Sequence, residues 1–190
     1  MKFPIIAYGD PVLKRKATAI EPEEYPHVKE LVENMFETMY AARGVGLAAP
    51  QVGLSMRLFV IDATAFSDEE PALKGLKKVF INATILEEDG EEWSFNEGCL
   101  SIPEIREDIY RKATVKISYY DENWKHYEET FSGMAARIIQ HEYDHIEGKL
   151  FTDKLSPLRK RLIEKKLNDI SKGIVDVEYK MKFPALKKGR

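Results

Sequence analysis

Hydrophobic positions between residues 25 and 42 recur with a helical period. Val28, Leu31, Val32, Met35, Phe36, Met39 and Tyr40 fall at i, i+3, i+4, i+7, i+8, i+11 and i+12, which draws one apolar stripe along a helix. Pro26 suits its first turn and Gly44 its exit. The stripe reads as core and carries no chemistry. Further on the period shortens to two. Arg57 to Ile61 and Val79 to Leu86 read as strands, separated by a polar excursion from Phe66 to Lys78 that Pro71 and Gly75 interrupt. Asp89-Gly90, inside the acidic run Glu87 to Glu92, predicts a hairpin turn, with Trp93 to Phe95 as the returning strand. The acidic residues are read as a solvated hairpin tip rather than a site for a basic partner. Val115, Ile117 and Tyr119 share one face of a strand from Thr114 to Tyr120, Asp121-Glu122-Asn123 turns the chain, and His126 to Phe131 pairs back.

A second helix is predicted from about Gly133 to Glu147, with Ser132 capping its start and Gly148 its end. Ser156-Pro157 opens a third, whose apolar stripe is Leu158, Leu162, Leu167 and Ile170, with Gly173 beyond it. Strands and helices arranged in blocks, with hairpins, indicate an α+β fold rather than a doubly wound parallel sheet. At 190 residues the chain suits a single domain, placed at 1–173, and a tail, 174–190, expected to be partly extended or disordered.

Composition narrows the classes. With 44% hydrophobic and 32% charged residues, wholesale disorder and collagen-like repeats are excluded. A net charge of −3 argues against DNA binding by global charge. Cys99 is the sole cysteine, so no internal disulfide can form, and a reducing compartment is expected. No apolar run is long enough to span a membrane, and the first ten residues are not expected to act as a secretory signal. A cytoplasmic protein is expected.

Three segments carry candidate chemistry. His141-Glu142-Tyr143-Asp144-His145 matches H-E-x-x-H. On a helix, i and i+4 lie about 40° apart, so both imidazoles point to one side and can hold one metal ion. Glu142 is turned about 60° from His145, within reach of a bound water without being a ligand. The third ligand stays open on residues alone: Glu147 and Glu164 are downstream options, and Cys99, in Glu97-Gly98-Cys99-Leu100-Ser101, is upstream. A free cysteine is more often a small buried hydrophobe than a ligand. Gly44-Val45-Gly46-Leu47-Ala48-Ala49-Pro50-Gln51 permits an extended backbone to lie against a ligand, or is simply a tight loop leaving the first helix. It matches neither a dinucleotide fingerprint nor a phosphate loop.

Together these three segments, in this order and spacing, resemble the signature motifs of the peptide deformylase family. Asp10-Pro11-Val12-Leu13 and Gly148-Lys149-Leu150-Phe151 also look like that family, and the resemblance spans about residues 5 to 170. It implies antiparallel and mixed sheets packed around a central metal-binding helix, followed by a C-terminal helix. It implies that Cys99, His141 and His145 bind one Fe²⁺, for which Zn²⁺, Ni²⁺ or Co²⁺ can substitute; the ligand types alone would favour zinc. The expected reaction is removal of the N-formyl group from N-formylmethionyl nascent peptides. Glu142 would serve as general acid/base, and the Gln51 side chain and Leu100 backbone N–H as oxyanion donors. Gly44, Val45 and Gly46 would pair with the substrate backbone, Met134 and Ile138 would line the methionine pocket, and Arg106 would contact the peptide further along. Asp144 is read as an orienting or salt-bridging group. A monomer is expected. Lys154 to Lys172 holds seven basic and two acidic residues, and this basic helix is a candidate ribosome-docking surface, its alternative being a solvated face. The rival readings are a zincin-type metallopeptidase, a metal-stabilised binding module, and a thiol nucleophile at Cys99.

Overall fold

The computed structural model describes residues 1–23 and 25–184. Its main sheet is antiparallel, in the order β2 (Gly46–Ala48), β3 (Leu58–Asp62), β4 (Lys77–Cys99), β5 (Ile102–Tyr120) and β6 (His126–Ser132). A short pair, β1 (Ile5–Ile6) and β7 (Met181–Lys182), runs parallel beside it. The helices are α1 (Val28–Ala41), α2 (Gly133–Ile146) and α3 (Pro157–Ser171). This is the α+β architecture that blocks of strands and helices imply.

The side-chain alternation of β3 explains the layering. Phe59 and Ile61 point to one face and join Phe80, Val115, Ile117 and Tyr119 against Ala135, Ile138 and Ile139 of α2. Leu58 and Val60 point to the other and pack on Leu31, Val32, Met35 and Met39 of α1. Both faces of this strand are therefore core, and each buried aliphatic side chain contributes about 1.5–3 kcal/mol. Ile163, Leu167 and Ile170 of α3 close a third cluster with Ile6, Ile102, Ile105, Ile109 and Phe151. Helix α2 is thus pinned against the sheet that ends in Cys99.

Several local expectations need correction. No hairpin forms at Glu87–Glu92. β4 runs through it, with Glu88 opposite Val115 and Asp89 opposite Thr114, and a register shift between Asp89 and Glu92 absorbs the extra residues. Gly90, at φ +82°, serves a bulge rather than a turn. The actual reversal falls at Leu100–Ser101, where Cys99 pairs with Ile102. Ser132 makes no side-chain cap; instead Glu70, from the polar excursion, accepts from the Met134 N–H at 3.2 Å. On α3, Leu158 and Leu162 are exposed and Ile163 is buried in their place. Tyr40 is half exposed and donates to Asp62 at 2.6 Å. Arg43, at φ +56°, rather than Gly44 takes the left-handed conformation after α1. Within 174–184 the chain returns to β1: the Ile5 N–H donates to the Lys180 carbonyl at 2.8 Å and the Ala7 N–H to that of Lys182 at 2.9 Å. The part of the tail expectation that covers 185–190 lies outside the described residues. Among the described residues no helix is long and apolar enough to cross a membrane.

Candidate active site

Two elements bring the ligand-type atoms together. β4 delivers Cys99 at its last position, and α2 presents His141 and His145 one turn apart. One ligand atom from each of the three lies within 4.8 Å of the others, the one such His/Cys/Asp/Glu group among the described residues. Cys99 Sγ is 3.4 Å from His145 Nε2. Glu147, a rival third ligand, is engaged elsewhere, with Arg57 at 2.7 Å and Lys16 at 3.3 Å.

Beneath the histidines lies a buried charge network whose partners the sequence reading did not identify. Glu97 Oε1 is 2.8 Å from His141 Nδ1, which leaves the other ring nitrogen for the Cys99 side. The same carboxylate accepts from Arg111 at 2.7 and 3.0 Å and from Arg137 at 2.8 Å. Arg111 also donates to Asp144 at 2.8 Å, so Asp144 is a salt-bridging group. Two guanidinium groups face two carboxylates, and the Arg137 guanidinium stacks over Trp93 at 4.3 Å. One signal for Glu97 was available: it stands two residues before Cys99, hence on the same face of the strand. Arg111 and Arg137 depend on strand register and helix placement, which no local pattern supplies.

Environment sets the protonation tendencies. Burial alone would raise the Glu97 carboxyl, but hydrogen bonds from His141 and Arg111 hold it well below the usual carboxylate range. Burial opposes the charged form of His141, yet hydrogen bonds with Cys99 and Glu97 raise it well above its ordinary value. Burial, then the His141 charge, pushes His145 well below. Burial pushes the Glu142 carboxyl up to about 7. Glu142 Oε2 and His145 Nδ1 are buried without a hydrogen-bond partner among the described residues. Orphaned buried polar atoms are rare, so these two mark a place built to receive something.

The surrounding cleft holds about 480 Å³. Gly44, Val45 and Gly46 line one wall, and β2 is a terminal strand of its sheet, with one edge open. A Cβ on Gly46 would collide with the Glu142 carboxylate, so only glycine lets the strand pass this close. Met134 and Ile138 line another wall, joined by Phe66 and Phe95, two aromatic residues not anticipated there. Gln51 Oε1 accepts from the Ala48 N–H at 2.9 Å. That orients its amide, so that Nε2 donates to Cys99 Sγ at 3.4 Å and Ser101 Oγ at 3.2 Å. Arg106 lies at the rim, its Nε donating to Asn96 Oδ1 at 3.0 Å, and its guanidinium covers Gly98 so closely that a Cβ there would clash. Leu100 also lines the cleft, and the Tyr179 hydroxyl donates to its carbonyl at 2.8 Å. Burial, then the Cys99 charge, pushes that hydroxyl well above its ordinary value.

An α+β hydrolase-type cleft with a Cys/His/His cluster beside a buried glutamate is the class this fold and site define. Comparison with known proteins gives the family. The polypeptide deformylase family model matches residues 2–161. The chain is 61% identical to the peptide deformylase of Christiangramia forsetii and 62% identical to that of Flavobacterium johnsoniae, each across the full length of both proteins. The crystal structure of a peptide deformylase from Legionella pneumophila superposes with a TM-score of 0.79 at 37% identity, covering 92% of this chain and 98% of that one. The Thermotoga maritima peptide deformylase gives 0.74 at 41%, covering 83% and 99%. The chain belongs to the polypeptide deformylase family. Its activity is hydrolysis of the formyl amide at the N-terminus of newly made proteins, and the zincin reading is set aside.

Proposed function

We propose that Cys99, His141 and His145 hold one divalent cation, and that Glu142, Gln51 and the Leu100 backbone N–H carry the reaction on an N-formylmethionyl peptide. The convergence of three ligand atoms within 4.8 Å beside a buried glutamate carries this reading. The donor set fits: one thiolate and two imidazoles with an open position is the layout of a catalytic rather than a structural centre. When bound, the cation supplies Lewis acidity to the formyl oxygen and lowers the pKa of a coordinated water. Fe²⁺ is proposed as the resident ion on family resemblance, with Zn²⁺, Ni²⁺ or Co²⁺ as substitutes.

The chain's own residues then have separable roles. Gly44, Val45 and Gly46 offer the substrate backbone an open strand edge, so the peptide enters as an added strand. Met134 and Ile138 receive the methionine side chain on apolar surface, and Arg106 meets the peptide beyond it. The Gln51 amide, locked by the Ala48 N–H, and the Leu100 N–H donate to the formyl oxygen as negative charge develops there, costing no reorganisation in the transition state. Glu142 takes a proton from the attacking water and delivers it to the departing amine, so the products are formate and a free N-terminus. Glu97 holds the His141 ring from behind.

The decisive experiment is formate release from formyl-Met-Ala-Ser, with metal analysis of the same sample. Glu142→Ala is expected to abolish release while retaining the ion, and Cys99→Ala to lose the ion. Release that survives chelation overturns the reading in favour of a thiol nucleophile.

A cytoplasmic monomer working on nascent chains is consistent with this role. Docking of α3 on ribosomal RNA is tested by pelleting with ribosomes after charge reversal at Lys160, Arg161 and Lys165, which line one surface groove. Arg159 is unsuitable for that test, because it is committed to Glu107 at 2.7 and 2.8 Å.

A further inference from the structure

The C-terminal segment beyond α3 lies outside the 2–161 stretch matched by the family model, yet it reaches back to the cleft. Its strand β7 is zipped to β1 through the Lys180 and Lys182 carbonyls. Just past β1, the Tyr8 N–H donates to the Ser101 carbonyl at 2.9 Å. Just before β7, the Tyr179 hydroxyl donates to the Leu100 carbonyl at 2.8 Å. The two carbonyls of the tight turn after Cys99 are therefore held by the two partners of one parallel strand pair. On its other side, the Leu100 side chain abuts Gly44, where a Cβ would come within 2.8 Å of Leu100 Cδ1.

We propose that Tyr179 is a positioning residue for the deformylase reaction: by anchoring the Leu100 carbonyl it holds the Leu100–Ser101 peptide unit, and through it the tight turn whose preceding Cys99–Leu100 unit carries the Leu100 N–H. The inference rests on the role proposed above for that N–H. Leu100 carries two peptide planes on one Cα. The anchored carbonyl restrains ψ and the packed side chain restrains χ1, so the Leu100 N and Cα are held in place; pairing of Cys99 with Ile102 holds the other end of the Cys99–Leu100 plane, and the direction of the N–H follows. A donor is worth most in the transition state when its direction is set beforehand. Tyr179 is part-buried beside an otherwise apolar cluster, so its hydroxyl has one well-defined acceptor, and it stands outside both the cleft lining and the Cys/His/His group.

The test is Tyr179→Phe, which removes one oxygen and keeps the ring. Formate release from formyl-Met-Ala-Ser is expected to show kcat lowered about fivefold with KM little changed, the scale of one net hydrogen bond expressed only in the transition state. Inhibition by the product Met-Ala-Ser, which lacks the formyl oxygen, should be unaltered. The Ser101 amide, part of the same peptide unit as the Leu100 carbonyl, should shift in the ¹⁵N spectrum. Glu178→Ala breaks the exposed pair with Arg43 at 3.0 Å on the same segment and should leave kcat unchanged. Unchanged kcat in Tyr179→Phe overturns the proposal, as does an equal loss in Glu178→Ala or a loss that follows only the unfolded fraction. Absence of formate release from the wild-type protein would instead defeat the deformylase site reading, so the two failures are distinguishable.

Discussion

The carboxylate of Glu97 lies 2.8 Å from His141 Nδ1, while Cys99, two residues further along the same strand face, lies 3.4 Å from His145 Nε2. Strand and helix are joined twice, once by ligand atoms and once by the groups behind them. Glu97 also receives two guanidinium groups, both of them buried.

Removing this carboxylate strands two buried cations. Glu97→Ala is expected to cost about 3 kcal/mol of stability, the scale of breaking a buried pair from one side, measured by urea denaturation. The ring of His141 also loses its anchor, so metal affinity should fall about 10–100-fold in chelator competition. An unchanged midpoint and unchanged affinity contradict the network.

Gly46 is the second lever. Its backbone runs against Glu142, and a Cβ there would displace the carboxylate. Gly46→Ala should lower formate release about 100-fold, the scale of an ångström-sized misplacement of a catalytic group. Metal content should stay near wild type, because no ligand atom moves. Loss of metal in step with activity would show that the strand, rather than Glu142, had shifted.

Much of this was readable before any coordinates. The α1 stripe and the alternation of Val115, Ile117 and Tyr119 marked core because each pattern is local and matches one period. The H-E-x-x-H spacing placed two imidazoles on one side of a helix for the same reason. The acidic run misled because Asp-Gly is a strong hairpin signal only when nothing else pairs with it; here β5 supplies a partner to β4 from Ile81 to Cys99, and Gly90 becomes a bulge. On α3, Leu158 and Leu162 are exposed where the stripe predicted burial, because the third core meets the face bearing Ile163, Leu167 and Ile170. Arg111, Arg137 and Tyr179 were invisible for a different reason. Their roles exist only once strand register, helix docking and the return of the C-terminal segment are fixed.

A pH-dependent contribution is expected at the far end of α2. Arg57 pairs with Glu147 at 2.7 Å, donates to the Ala83 carbonyl at 2.8 Å and lies over the Tyr143 ring. Burial would raise the Glu147 carboxyl, but Arg57 and then Lys16 hold it below its ordinary value of 4.5. A folded-state value below the unfolded one means that the stabilisation is fully present above the unfolded value and lost as pH falls through the folded one. Glu147→Gln should therefore cost about 1 kcal/mol near neutrality, and the gap to wild type should close as the pH drops below 4.5. A gap independent of pH in parallel thermal melts counts against the ion pair.

The central claim is that one sulfur and two imidazoles, far apart in the chain, share a cation. X-ray absorption at the metal edge of the purified protein tests it most directly. The account predicts a shell containing one sulfur and two imidazole nitrogens, with the sulfur lost in Cys99→Ser. A shell of nitrogen and oxygen alone in the wild-type protein would contradict it.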